Sequence, residues 1–266
     1  MASVAAMIRS SGRAMARAAP GLDGMLHAIY QRLPSSLHDT PTSFIGRYFS
    51  REAEVRFIQL GAHNGLQGDP IRELIADDPR WSGVLVEPNP SAFAELSKSY
   101  PDNGRIMLKR AAASDAPGQA AFYSFSPPDG TDPSELFDWW SEISSFDLGH
   151  VQRFLPERFH SAIRTDEVDV VTIAGIVAEF GLGRLDLLVM DIEGHEAAIL
   201  RDLAGRPNPP RLIMFEHKHM TPAALADCTA WFRHEGYELK MYGRDAVLYA
   251  GRSRFQGDPG LRRGSS

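Results

Sequence analysis

The chain has 266 residues, 43% of them apolar, and a net charge of −6. That length suits one α/β domain with extensions, and the apolar share is enough for a sizeable core. The negative balance excludes a nucleic-acid surface built on bulk basicity, and the single cysteine, Cys228, excludes an intrachain disulfide and a cysteine-rich metal site.

The expected layout is an N-terminal helical arm over 1–50, a main α/β domain over 51–252 with an insert at 126–165, and a flexible tail over 253–266. In the arm, Arg9, Arg13 and Arg17 recur every fourth residue and so share a helical face. It reads as a frayed arm, with a targeting peptide or a weak contact with an anionic membrane surface as the other readings. No apolar run reaches the length of a membrane span, and a cytoplasmic location is the expectation.

Val55–Leu60 reads as a strand that ends in the loop Gly61-Ala62-His63-Asn64-Gly65. A helix over Pro70–Ala76 follows, with Asp69 as its cap. Gly83–Val86 is a second strand, and it ends in Glu87. A loop of small residues after a buried strand lets backbone N–H groups approach a ligand, and an acid on the next strand tip can take both hydroxyls of a ribose. The alternative is a tight turn and a surface glutamate. The loop lacks the middle glycine of GxGxxG and carries no P-loop lysine, so a pyrophosphate fits poorly. A looser GAxxG loop followed by an acid suits S-adenosylmethionine, whose methionine part has no phosphate.

Pro90–Ser99 continues as a helix and Ile106–Arg110 as a short strand, followed by AAASD at 111–115; Gln119–Phe125 reads as an added strand. The insert opens on PPDGTDP at 127–133, a loop signal, and carries the adjacent Trp139 and Trp140. An insert between strands is a natural lid or substrate wall. Plain packing of Leu136, Trp140 and Ile143 is the simpler reading.

Beyond it, Val168–Ile173 is β-rich, Ile173–Phe180 helical, and Leu185–Met190 a continuous apolar run typical of a central parallel strand. Glu193–Leu203 reads as a helix, Leu212–Phe215 as a buried strand and Pro222–His234 as a helix; Leu239–Tyr242 and Ala246–Ala250 suit a closing antiparallel hairpin around Gly243. This alternation implies an α/β, doubly wound, mostly parallel sheet of about seven strands with helices on both faces, Rossmann-like in class. Ligands of such sheets bind outside the carboxyl ends of the strands, so Asp191 and Glu216 share an edge with Gly61 and Glu87. Glu193 and Glu196 are first-turn acids that the helix dipole alone would explain. Alternation puts His217 and His219 on one side of an extended segment, with solvated strand-end histidines as the alternative.

The ordered series FIQLGAHNG, DPI at 69–71, LVEPNPSAF at 85–93, AAASD at 111–115, ISSF at 143–146, VTI at 171–173, LDLLVMDIEGHE at 185–196, FEHKHM at 215–220 and GYELKMYGRDAVLYA at 236–250 resembles the FkbM-type methyltransferases, over about residues 54–250. These are a class I, S-adenosylmethionine-dependent family. The resemblance implies that Gly61, Ala62, His63, Asn64 and Gly65 form the cofactor loop and that Glu87 is the ribose-binding acid. It implies adenine contacts near Ser114 and Asp115 and puts Asp191 at the strand end facing the transferred methyl. His63 departs from the Asn or small polar residue common in the family.

The activity so implied is methyl transfer to a hydroxyl oxygen of a sugar or polyol-like secondary metabolite, with nitrogen as the other possible target. A hydroxyl must lose a proton, and Asp191, Glu216 and His217 are the candidates for base or orienting group. A small-molecule or glycan acceptor is the expected partner, not nucleic acid. In a second reading, Asp191, Glu193, Glu216 and His217 would hold Mg²⁺ or Mn²⁺ against the acceptor; no ligand spacing is diagnostic, and a metal is not favoured. A non-catalytic cofactor-binding scaffold is disfavoured by the acid cluster, and an NAD-dependent oxidoreductase by the missing glycine.

Overall fold

The computed structural model describes residues 40–251, apart from 67, 77, 102, 103, 129, 133–135, 137–139, 141 and 142. The arginine-bearing stretch, the tail over 253–266 and Trp139 lie outside the described residues. The chain divides into two units, 1–51 and 52–266. In the first, helix α1 (Pro41–Tyr48) starts in a capping box: the Ser43 N–H donates to Thr40 Oγ1, and the Thr40 N–H donates to Ser43 Oγ.

The second unit runs β1 (Val55–Leu60), α2 (Arg72–Ile75), β2 (Trp81–Val86), α3 (Pro90–Ser99), β3 (Ile106–Lys109), β4 (Ala112–Ala113), β5 (Gly118–Phe125), β6 (Ser144–Ser145) and α4 (Leu148–Phe154). After a 3₁₀ turn it continues through β7 (Ile163–Val171), α5 (Ile173–Glu179), β8 (Leu187–Met190), α6 (Glu196–Leu203), β9 (Leu212–Glu216), α7 (Pro222–His234), β10 (Tyr237–Tyr242) and β11 (Asp245–Ala250). Seven strands form one sheet in the order β10-β11-β9-β8-β1-β2-β3. The run from β9 to β3 is parallel, and β11 is antiparallel to both its neighbours. The expected α/β, doubly wound class is therefore the observed one.

Burial explains why these strands are apolar runs. Ile58, Leu60, Leu188 and Phe215 pack with Ile176 of α5, Leu200 of α6, and Cys228 and Phe232 of α7. Phe57, Leu85 and Val189 alternate to the opposite face and are equally buried. A strand covered on both faces has no polar phase. α2 starts at Arg72 with Ile71, not Asp69, at its N-cap, so the helix is shorter than its sequence pattern; Asp69 Oδ1 still accepts the Ile71 and Arg72 N–H groups at 2.9 and 3.1 Å.

The segments at 119–125 and 168–173 depart from expectation. β5 and β7 pair antiparallel from Gly118–Val170 to Phe125–Ile163 and belong to a separate four-stranded sheet, β4-β7-β5-β6. β7 starts at Ile163, inside the expected insert, and ends at Val171. Both strands leave much of their length exposed, so their pattern alternates where that of the main sheet does not. Trp140 packs edge-on against Phe125, 5.9 Å between ring centroids, in a cluster with Ile143, Val151 and Phe159. Among the described residues no helix is long and apolar enough to cross a membrane.

Candidate active site

Strand register builds the site. Leu60 pairs with Val86 and with Met190, and Met190 pairs with Phe215. The next residue of each strand is Gly61, Glu87, Asp191 or Glu216, so the four stand in one row at the carboxyl edge of β1, β2, β8 and β9.

Gly61 is required for a reason other than ligand approach. Its φ is +74°, and a Cβ there would lie 1.8 Å from the Asp191 carbonyl oxygen. Only glycine lets β1 leave the sheet so close to the end of β8. At Gly65, φ +67°, a side chain would meet Leu96 and the Tyr100 ring. Between them Ala62 is buried, the Asn64 Oδ1 accepts the Leu66 N–H at 3.0 Å, and His63 takes a φ of +47°.

That turn aims the His63 N–H at Glu87 Oε2, 2.8 Å away. The Asn89 N–H donates to Glu87 Oε1 at 2.8 Å, and Asn89 in turn caps α3. Glu87 thus ties the loop after β1 to the start of α3. It is only 4% exposed, which removes the surface-glutamate alternative. Burial pushes its pKa up to about 7 against the pull of the two N–H groups. Each carboxylate oxygen keeps one acceptor site beyond its N–H bond. An acid with two oxygens so disposed, beside a loop with no lysine, fits a nucleoside ribose without a pyrophosphate.

The loop after β8 is pinned by Glu196. This residue is 1% exposed, and its two oxygens accept the Ile192 and Gly194 N–H groups at 2.9 and 3.0 Å. α6 begins at Glu196, not at 193, and its N-cap is His195. Asp191 therefore does not cap the helix. Glu193, with a φ of +52°, lies outside it, so the helix dipole does not account for that acid.

Asp191, Glu193 and Glu216 bring a carboxylate oxygen each within 4.8 Å of one another. Lys218 offsets part of this charge, its Nζ 2.7 Å from Glu216 Oε2 and 3.1 Å from Glu193 Oε1. Burial alone would lower the Lys218 pKa, but these carboxylates outweigh it and raise it. Asp191 is reached by solvent, yet protein encloses it on most sides. Desolvation, then Glu216 and Glu193, push its pKa up to about 7.

His217 and His219 do not share a side. β9 stops at Glu216, and the Met220 N–H closes a turn on the His217 carbonyl at 2.9 Å. His217 Nε2 faces the Gly243 carbonyl at 3.1 Å, whereas His219 Nε2 faces Glu193 Oε2 at 2.8 Å. Ser114 and Asp115 follow β4 of the second sheet, outside the row, and bond to each other at 2.9 Å. A separate cavity of about 260 Å³, lined by Pro88, Pro90, Arg110, Gln119 and Asp169, touches none of the four row residues.

Sequence reasoning missed Lys218 and His150. Three acids on one edge demand a compensating cation. The lysine inside EHKH was the signal for it, passed over for its histidines. His150 had no local signal.

The sequence matches the family model described as the methyltransferase FkbM domain over residues 59–239. No curated protein matches it. Among solved structures it is similar to the fibrillarin pre-rRNA processing protein of Methanococcus jannaschii, with 11% identity and a TM-score of 0.36, covering 74% of this chain and 65% of that one. It is similar to Aeropyrum pernix fibrillarin with natively bound S-adenosylmethionine, with 14% identity and a TM-score of 0.37 over 75% and 68% of the two chains. It is also similar to a precorrin-6y C5,15-methyltransferase from Geobacter metallireducens, with 10% identity and a TM-score of 0.40 over 79% and 87%.

Proposed function

The chain belongs to the FkbM methyltransferase family, and from that premise we propose that it methylates a hydroxyl oxygen of a sugar or polyol-like small molecule in the cytoplasm. S-adenosylmethionine, when bound, supplies the methyl group on its sulfonium. Glu87 and the loop 61–65 hold the ribose side of that group. The acceptor then lies against the Asp191–Glu216 part of the row, where positioning for in-line attack supplies much of the rate.

Asp191 takes the acceptor proton. One observation carries this choice over Glu216. Asp191 is open to solvent with its pKa pushed up to about 7, whereas Glu216 is 6% exposed and held by Lys218. A base is most effective when its pKa lies near the working pH. We prefer Asp191 to His217 as base because His217 Nε2 faces the Gly243 carbonyl and not the row. Glu193, Glu216 and Lys218 orient the acceptor and steady the charge beside Asp191.

The test offers labelled S-adenosylmethionine with panels of sugars, polyols and amines and identifies the product by mass. Asp191→Asn should bind cofactor normally and transfer methyl about a hundredfold more slowly. Near-normal turnover would remove Asp191 as base, and product from amines alone would replace oxygen by nitrogen. Cofactor binding with no turnover on any panel would favour the scaffold.

A further inference from the structure

Glu193 stands between two groups of partners. Its Oε1 bonds Lys218. Its Oε2 faces two imidazoles, with His219 Nε2 at 2.8 Å and His150 Nε2 at 3.7 Å. The three side chains come from separate segments: His150 from α4, Glu193 from the loop after β8, and His219 from the turn after β9. Their ligand atoms all lie within 4.8 Å of one another. His150 is 8% exposed, and its ring makes no hydrogen bond among the described residues. It meets the rings of Phe154 and His219, each 5.0 Å away between centroids.

We propose that His150, Glu193 and His219 form a binding site for a divalent transition-metal ion such as Zn²⁺ or Mn²⁺. Metal bonds of about 2.0–2.2 Å, at tetrahedral or octahedral angles, set neighbouring ligand atoms about 3–3.5 Å apart. The observed 2.8 and 3.7 Å from Glu193 Oε2 bracket that spacing, and the third pair, His150 and His219, lies within 4.8 Å. Two imidazoles and one carboxylate suit Zn²⁺, Mn²⁺ or Fe²⁺ rather than Mg²⁺ or Ca²⁺, which prefer oxygen.

The cluster is a poor set of ion pairs. With both imidazoles protonated, Glu193 would face three cations, Lys218 among them. A neutral imidazole is the form that binds metal. The all-oxygen alternative, Asp191–Glu193–Glu216, already holds the Lys218 ammonium. The site thus differs from the Asp191, Glu193, Glu216 and His217 set that sequence suggested. It goes beyond the methyl-transfer reading and stands without it.

The test uses the full chain, stripped with EDTA and free of cofactor. Zn²⁺ and Mn²⁺ are titrated by calorimetry, and Co²⁺ by the visible absorption that reports imidazole ligation. One site is expected. His150→Gln and His219→Asn should each weaken it about tenfold or more, and Asp191→Asn should leave it unchanged. Binding that survives both histidine variants, binding abolished by Asp191→Asn, or no binding by the folded chain would each overturn the proposal. If His150→Gln does not fold, His219→Asn, at an exposed turn residue, and the Co²⁺ bands decide. Because the readout is metal affinity alone, failure of the methyl-transfer assay would leave it standing.

Discussion

Glu87 shows how one side chain serves both structure and ligand. Its oxygens hold the His63 and Asn89 N–H groups, so Glu87→Ala leaves two buried donors without acceptors. Each such loss costs about 1–3 kcal/mol. The alanine variant should therefore lose stability as well as cofactor. Glu87→Gln is the cleaner probe, since it keeps the volume and one acceptor. Its amide NH₂ cannot accept from the second N–H, so it should lose about 1–3 kcal/mol, roughly half the alanine loss, and bind S-adenosylmethionine about tenfold or more weakly; unchanged affinity by calorimetry would remove the ribose role. Asp191 makes a prediction about pH. Its base form is lost as pH falls through about 7, so methyl transfer should decline below that value, and Asp191→Asn should abolish this limb. The effect on stability has the opposite sense. A carboxyl whose pKa is raised from 3.8 to about 7 on folding contributes fully below 3.8 and loses that contribution as pH rises through about 7. Melting temperatures of the cofactor-free chain between pH 5 and 8 should fall with pH, less steeply in Asp191→Asn; an identical slope would contradict the shift.

At the scale of elements, the loop after β1 is set by packing. In Gly61→Ala a Cβ would sit 1.8 Å from the Asp191 carbonyl oxygen, so β1 and β8 must separate. The cost should exceed about 3 kcal/mol. Gly243→Ala also adopts a positive φ, +67°, but its Cβ meets nothing within 4 Å, and it should cost only about 1–2 kcal/mol. Urea melts of the two variants compare them directly, and equal losses would remove the packing argument. The same contrast explains what the sequence disclosed. β1, β2, β8 and β9 were legible because both their faces are covered, which leaves long apolar runs. β5 and β7 were legible as strands but not as a second sheet, because alternation records a half-exposed strand and not its partner. The start of α6 was misplaced because Glu193 looks like a first-turn acid, while its φ of +52° is set by Glu196 gripping the loop. His217 and His219 were read as extended, and no residue type announces that β9 stops at Glu216.

For the whole molecule, the row of Gly61, Glu87, Asp191 and Glu216 was legible because topology alone sends every parallel strand end to one edge. Lys218 and His150 were not, because charge compensation and convergence from separate segments are properties of the assembled edge. That assembly gives the last prediction. A ligand held by loops from β1, β2 and β8 binds only when those strands are paired, so its binding energy adds to the stability of the folded state. At a hundred times its dissociation constant, S-adenosylmethionine should add about 2.7 kcal/mol. For a chain of this size each kcal/mol raises the melting temperature by about 2–4 °C, so the melt should move up by about 5–10 °C. NADH at the same concentration should produce no shift, because His63 stands where a pyrophosphate needs the middle glycine. The methyl-depleted cofactor product should stabilise like the cofactor itself, since Glu87 and the loop contact the part the two share. Glu87→Gln should shrink both shifts in step with its loss of affinity. Equal stabilisation by NADH, or a full shift in a folded Glu87→Gln chain, would show that this edge does not select an adenosyl ligand through its ribose.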